Sequence, residues 1–184
     1  AGHAMHGINM LVEELGIERG PFDVLVLNEE TRLSGAVSCK VLKIETAFGR
    51  QSIDFANVAA IIGGAQAGCP VQLYLRNGEI LTGLLTADEV TMITRSKMEF
   101  QLPADNIKAL IMHTSQEDGE VPDTAAAFLS TCSGDRLLLK DKGPIPLHLL
   151  CPWGVLDVQL KKKDQLLFSQ EIQPGYRLLL HNGT

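Results

Sequence analysis

The chain is poor in aromatic residues, in positive charge and in long apolar runs. Phe, Trp and Tyr together make up 5% of 184 residues, with a single tryptophan, Trp153. Binders of single-stranded nucleic acid interleave aromatic stacking platforms with basic side chains. Here 16 Lys and Arg face 22 Asp and Glu, for a formal charge of −6. A surface built to neutralise phosphates is therefore not expected, and nucleic acid is a disfavoured partner. No apolar run approaches the roughly 18 residues of a membrane span. The four cysteines, Cys39, Cys69, Cys132 and Cys151, have neither Cys-x-x-Cys spacing nor paired histidines. They read as small buried apolar side chains rather than as a structural zinc site.

Catalytic patterns are missing as well. The glycine-rich stretch 63–68 lacks the lysine of a phosphate-binding loop and reads as a connector. A nucleophile, base and acid could be drawn from Ser130 or Cys132, His113 or His148, and Asp135. No strand–turn–helix elbow frames such a nucleophile, and any chain with this many serines offers a similar set. The paired acids Glu13-Glu14, Glu29-Glu30 and Glu117-Asp118 fall in helix-surface or turn contexts, where solvated charge is the default. No catalytic residue, cofactor or metal ligand is assigned.

What the sequence does contain is self-similarity. Val24 to Ile61 and Val71 to Ile111 each run as alternating strand, polar turn, glycine-bearing strand, further strands and a closing phrase. The closing phrases Ile53–Ile61 and Leu102–Leu110 align without gaps, and Gly35 corresponds to Gly83, a shift of 48 residues. A third copy is legible where Leu147–Gly154 follows Leu42–Gly49 and Ser133-Gly134-Asp135-Arg136 follows Asn77-Gly78-Glu79-Ile80. Repetition at such a period is the signature of stacked or paired supersecondary units. Leu178–Thr184 copies Leu73–Glu79 and stops at the turn, which reads equally as a closing strand or as a truncated fourth copy.

The expected fold is all-β: three tandem related small β-units, barrel- or sandwich-like, preceded by a short N-terminal helix. Residues 1–21 hold a tag remnant, on the evidence of Ala1–Met5, and a helix over 8–15 with Ile8, Leu11, Val12 and Leu15 on one face, ended by Gly16. Units follow at 22–63, 69–114 and 127–184, with an acidic linker at 115–126. Asn77-Gly78 predicts a type I′ hairpin turn. Gly35 and Gly83, inside returning strands, predict a sharp bend or a close backbone approach.

Residues 71–95, with Val71–Leu75, the Asn77-Gly78 turn, Gly83 and Asp88, resemble the opening half of Sm-like and related SH3-like small barrels. That resemblance implies barrel-like architecture and homo-oligomeric habits. The arginine-glycine phrase that helps Sm proteins bind RNA is replaced here by Ala104–Lys108, so RNA binding is not implied. As a whole the chain also resembles uncharacterised β-repeats of bacterial surface and envelope proteins.

The polar positions that differ between copies are the candidates for function. Lys161, Lys162 and Lys163 form the one basic cluster, which reads first as a solvated face and otherwise suits an acidic partner or peripheral contact with anionic lipid. His148 sits within a strand as a surface or half-buried histidine, and Trp153, at the position of Phe48, is expected to plug a corner of the core. The favoured reading is a non-enzymatic structural or scaffold protein acting through protein partners or self-association. Its rivals are a small-barrel module for peptide or RNA and an enzyme whose site forms between units. No cofactor is called for, and localisation is left open with the cytoplasm slightly favoured.

Overall fold

In the computed structural model the described residues are 3–17, 20–28, 30–63, 68–86, 89–113, 127–131, 134–139, 144–161, 165–169 and 175–179. Helix α1 (His3–Glu14) precedes β1 (Asp23–Val26), β2 (Arg32–Ser38), β3 (Val41–Thr46), β4 (Gly49–Asp54) and β5 (Val58–Gly63). There follow β6 (Val71–Leu75), β7 (Ile80–Leu85), β8 (Glu89–Thr94), β9 (Glu99–Pro103) and β10 (Ala109–Ile111). The last strands are β11 (Ala127–Ser130), β12 (Arg136–Leu139), β13 (Ile145–Cys151), β14 (Gly154–Leu160), β15 (Gln165–Ser169) and β16 (Gly175–Leu179). The protein is all-β with one helix at its N-terminal end. It divides into two compact units, residues 1–123 with 128–138 and residues 124–127 with 139–184.

The first unit is a single antiparallel sheet in which the two similar segments do not close separately. Hydrogen-bonded order runs β9-β8-β2-β1-β10-β5-β6-β7-β12-β11, with β3 beside β7 and β4 beside β3. Each segment therefore lends its middle hairpin to the other. β2 pairs with β8, as Gly35 opposite Thr94 and Val37 opposite Met92. β3 pairs with β7, as Thr46 opposite Gly83 and Ile44 opposite Leu85. Pairings within and across the segments keep one register. Asp23↔Gly35 and Val26↔Arg32 recur 48 residues on as Val71↔Gly83 and Tyr74↔Ile80. Small separate barrels would have left each short sheet with too little core to bury. Exchange puts both sets of strands around one core.

The halves meet between β5 and β10, where Ile61 faces Leu110, with Ala60↔Ile111 and Ile62↔Ala109 on either side. Because Ile61 corresponds to Leu110, this pairing is self-complementary. On one face of the sheet, fully buried Leu25, Leu42, Ile44, Ile61, Leu73, Met92, Ile107 and Leu110 form the main core. Burying each such side chain contributes about 1.5–3 kcal/mol. The opposite face of the central strands is covered by α1, whose Ile8 and Val12 pack with Val26, Ala59, Ala60, Tyr74, Ala109 and Ile111.

Burial on both faces explains why β5 and β10 read as continuous apolar phrases instead of alternating ones. It also explains why Tyr74, set on the polar side of an alternating strand, is buried and donates its hydroxyl hydrogen to Gln72 Oε1 at 3.0 Å. α1 begins five residues before the expected start. It ends as the sequence suggested. Gly16 takes φ +59, the Gly16 amide donates to Glu13 O and the Ile17 amide to Val12 O, and buried Ile17 lies in the same cluster as Val12. That pattern satisfies carbonyls the last turn would otherwise orphan.

Both expected glycines sit where the exchanged hairpins cross. A Cβ on Gly35 would overlap the carbonyl oxygen of Ile93, and one on Gly83 that of Glu45. The Asn77-Gly78 turn departs from type I′. Only Gly78 has positive φ, at +89, and the Leu75 amide donates to Glu79 O, so Arg76-Asn77-Gly78 form a three-residue loop with glycine at its left-handed position. Proline ends β9 at Pro103, and Asp54, its counterpart, accepts the Ala56 amide at 3.0 Å to start the matching 3-10 turn.

In the second unit β13 and β14 pair from Ile145↔Leu160 to Cys151↔Gly154 around the corner Pro152-Trp153, as β3 and β4 pair around Ala47-Phe48. β15 and β16 form a separate hairpin in which Leu166 faces Leu178. That pair lies 105 residues beyond Ile61↔Leu73, the same shift that carries Gly49 to Gly154. The acidic stretch expected as a linker, 115–126, and the connector residues 64–67 lie outside the described residues.

Candidate interaction surfaces

The residues singled out from sequence fall on the third segment. His148 projects from β13 directly opposite Asp157 of β14, Nδ1 to Oδ1 at 2.5 Å, with both side chains about three-quarters exposed. A contact so open to water contributes little to stability. Lys161 is exposed just after β14, while Lys162 and Lys163 lie outside the described residues. Trp153 corrects the expectation of a core plug: it is 82% exposed. A two-residue corner carries its side chains past the end of the paired strands, where no core lies beneath them, and Phe48 at the matching corner is exposed too. Beside the Trp153 corner, Leu150 and Val155, which face each other across the strands, are also exposed, and Leu156 is exposed on the other face. An apolar group of this kind is what interaction surfaces use.

Of the groups from which a catalytic set could be drawn, His113, His148 and Asp135 are engaged in hydrogen bonds. Asp23, at the start of β1, accepts the Val37 amide at 2.8 Å and the His113 amide at 2.7 Å. The His113 ring Nδ1 lies 3.1 Å from Gly20 O. Arg76 donates to Ala56 O and to His113 O, fastening the β6–β7 turn to the end of β10. Cys39 packs against the main core, Cys69 and Cys151 are half-buried, and Cys132 lies outside the described residues. Among the described residues no three His, Cys, Asp or Glu side chains cluster as a metal site, and no helix is long and apolar enough to cross a membrane.

One contact that sequence reasoning passed over is the most built of all. β12 joins the sheet at the outer edge of β7 with Arg136 opposite Ile80, and two carboxylates bind the pair reciprocally. Asp135 Oδ1 accepts the Thr82 amide at 2.5 Å, and Glu79 Oε2 accepts the Leu138 amide at 3.1 Å. Each acid is held in place locally. Asn77 Nδ2 donates to Glu79 Oε1, while the Thr131 hydroxyl donates to Asp135 Oδ2.

Asp135 is 1% exposed and Arg136 6% exposed, and burial pulls the Arg136 guanidinium below its ordinary pKa. Burial likewise raises the Tyr74 phenol above the usual tyrosine value. A buried carboxylate that accepts backbone amides is a charge-assisted bond, stronger than a neutral one. The signal was present in the sequence, since both aligned turns place an acid directly after glycine, Gly78-Glu79 and Gly134-Asp135.

Comparison with protein families, curated proteins and solved structures returns no match.

Proposed function

We propose that the protein is a non-enzymatic scaffold made of three copies of one β-repeat, acting through repeat-to-repeat contacts that extend to protein partners or to further copies of itself. The observation that carries this reading is the reciprocal edge between β7 and β12. There a strand from outside the exchanged pair adds to the sheet by backbone pairing and by two matched carboxylate–amide bonds. Edge addition is a general mode of protein recognition, in which main-chain hydrogen bonds give affinity and side chains give register.

The registers of the first two segments support the idea of a common repeat, as do the matching corners Ala47-Phe48 and Pro152-Trp153. The exposed Leu150, Trp153 and Val155 support a surface that another chain covers. The likeness of residues 71–95 to Sm-like barrels agrees with homo-oligomeric habits. Light scattering across a concentration series tests the self-association arm. Mass that rises with concentration, and that falls when Trp153 and Leu150 are changed to serine, supports it. A strict monomer at high concentration counts against it.

A further inference from the structure

The outer edges of β7 and β2 are equivalent, but they are not equally filled. Val26↔Arg32 and Val24↔Ser34 repeat Tyr74↔Ile80 and Gln72↔Thr82, so Arg32 stands where Ile80 stands and Ser34 where Thr82 stands. At β7 that edge carries β12. At β2, pairing with β8 begins only at Gly35, and among the described strands none lies beside Arg32–Ser34 on that side. A shallow groove of about 500 Å³ opens there, walled by Thr94, Arg95 and Met98.

The turns that flank the two edges also differ by one residue. The turn between β8 and β9 is Arg95-Ser96-Lys97, with Lys97 at φ +63 and the Thr94 amide donating to Met98 O, whereas β3 and β4 turn on Ala47-Phe48 alone. The Arg95 amide donates to Ser34 O at 3.1 Å. The N–H and C=O of a strand residue point to the same side, so the Ser34 amide faces the groove as the Thr82 amide faces Asp135. Its carbonyl is taken, and no acceptor for its N–H is in place among the described residues. An occupant must bring an acceptor.

Charge narrows the choice. Arg95 is held with Cζ 5.0 Å from the centre of the Phe22 ring, Arg32 and Lys97 are exposed beside it, and the preceding segment of the sequence carries two acids, Glu29 and Glu30. Thr31 occupies the position of Glu79, so this edge can receive a carboxylate but has none to give. Pairing with the same edge of a second copy would gather the arginines of both copies at one seam and bring no carboxylate to the Ser34 amide.

We propose that Arg32–Ser34 is a β-augmentation site for a hairpin of a protein partner whose pairing strand opens with an acidic residue directly after a turn glycine, as Gly134-Asp135-Arg136 does. The site rests on the reading of a surface-acting scaffold and names the partner chemistry for one of its edges. A labelled peptide with the sequence of residues 127–139, carrying Cys132→Ser, is titrated into the full chain. Saturable binding is expected, with the Ser34 amide resonance shifting. Affinity should fall at least tenfold for the peptide carrying Asp135→Asn, and comparably for the chain carrying Arg32→Glu with Arg95→Glu.

Absence of binding, equal binding by both peptides, or shifts confined to the Thr82 edge would overturn the site. The peptide change needs no protein variant, so misfolding cannot mimic that result. Concentration-dependent mass without peptide capture would remove this site and leave the scaffold reading. Capture by a strictly monomeric chain would keep the site and remove self-assembly.

Discussion

Two hairpins of this chain have the same corner and opposite surroundings. β3–β4 and β13–β14 both turn on two residues ahead of a positive-φ glycine, Gly49 at +99 and Gly154 at +131. In the first, Leu42 and Ile44 are fully buried because β7 lies alongside and the core lies beneath. In the second, the corresponding Leu147 and Leu149 are only half-buried, and Leu150 is 87% exposed. The corner is a local property of six or eight residues. Burial is conferred by a neighbouring strand, and a hairpin without one is at best marginal on its own. Among the described residues β13–β14 pairs with no third strand.

The comparison can be broken outright at Gly83. Val at that position puts side-chain atoms into the Glu45 backbone, so β3 must leave β7. A loss of about 4 kcal/mol or more is expected in chemical denaturation, from the short class of mutations that disrupt packed backbone. Removing one buried side chain sharpens it further. Leu42→Ala should cost about 2–5 kcal/mol, whereas Leu147→Ala, in the half-exposed hairpin, should cost under about 1 kcal/mol. Trp153 is the only tryptophan, so its fluorescence follows the second hairpin while circular dichroism follows the whole chain. The smallest effect tests what the two share. Gly49→Ala and Gly154→Ala should each weaken their hairpin by about 1–2 kcal/mol, because the strained φ is the same kind in both. A large difference between those two would show that the corners are not equivalent.

Much of the strand layout was readable because glycines, corners and closing phrases are local marks. Gly35 and Gly83 pointed to close approach, and Gly16 to the end of α1. The exchange was not readable, for a physical reason. Ile44 and Met92 are both buried apolar residues at equivalent positions, and Leu85 or Val37 would accept either. Pattern alone is satisfied equally by pairing within a segment or across segments. The double burial of β5 and β10 was hidden similarly, because nothing in Val58–Ile61 announces which element covers its second face. For the interaction surfaces, Asp135 reads in the sequence only as the acid of a generic catalytic set, because nothing there places Thr82 beside it, and the habit of its residue type assigns Trp153 to a core.

The exchange also sets a schedule. While the chain is being made, Gly35 has no outer neighbour until Thr94 has emerged, and Val24 waits for Ile111. At about 5–20 residues per second this leaves the first glycine-bearing edge unpaired for several seconds. Contacts so distant in sequence make for slow closure. A chain released after its first half would present the outer edge of β2 and the edge of the β3–β4 hairpin without their native partners. Residues 23–113 thus behave as one indivisible folding unit, although their text reads as two.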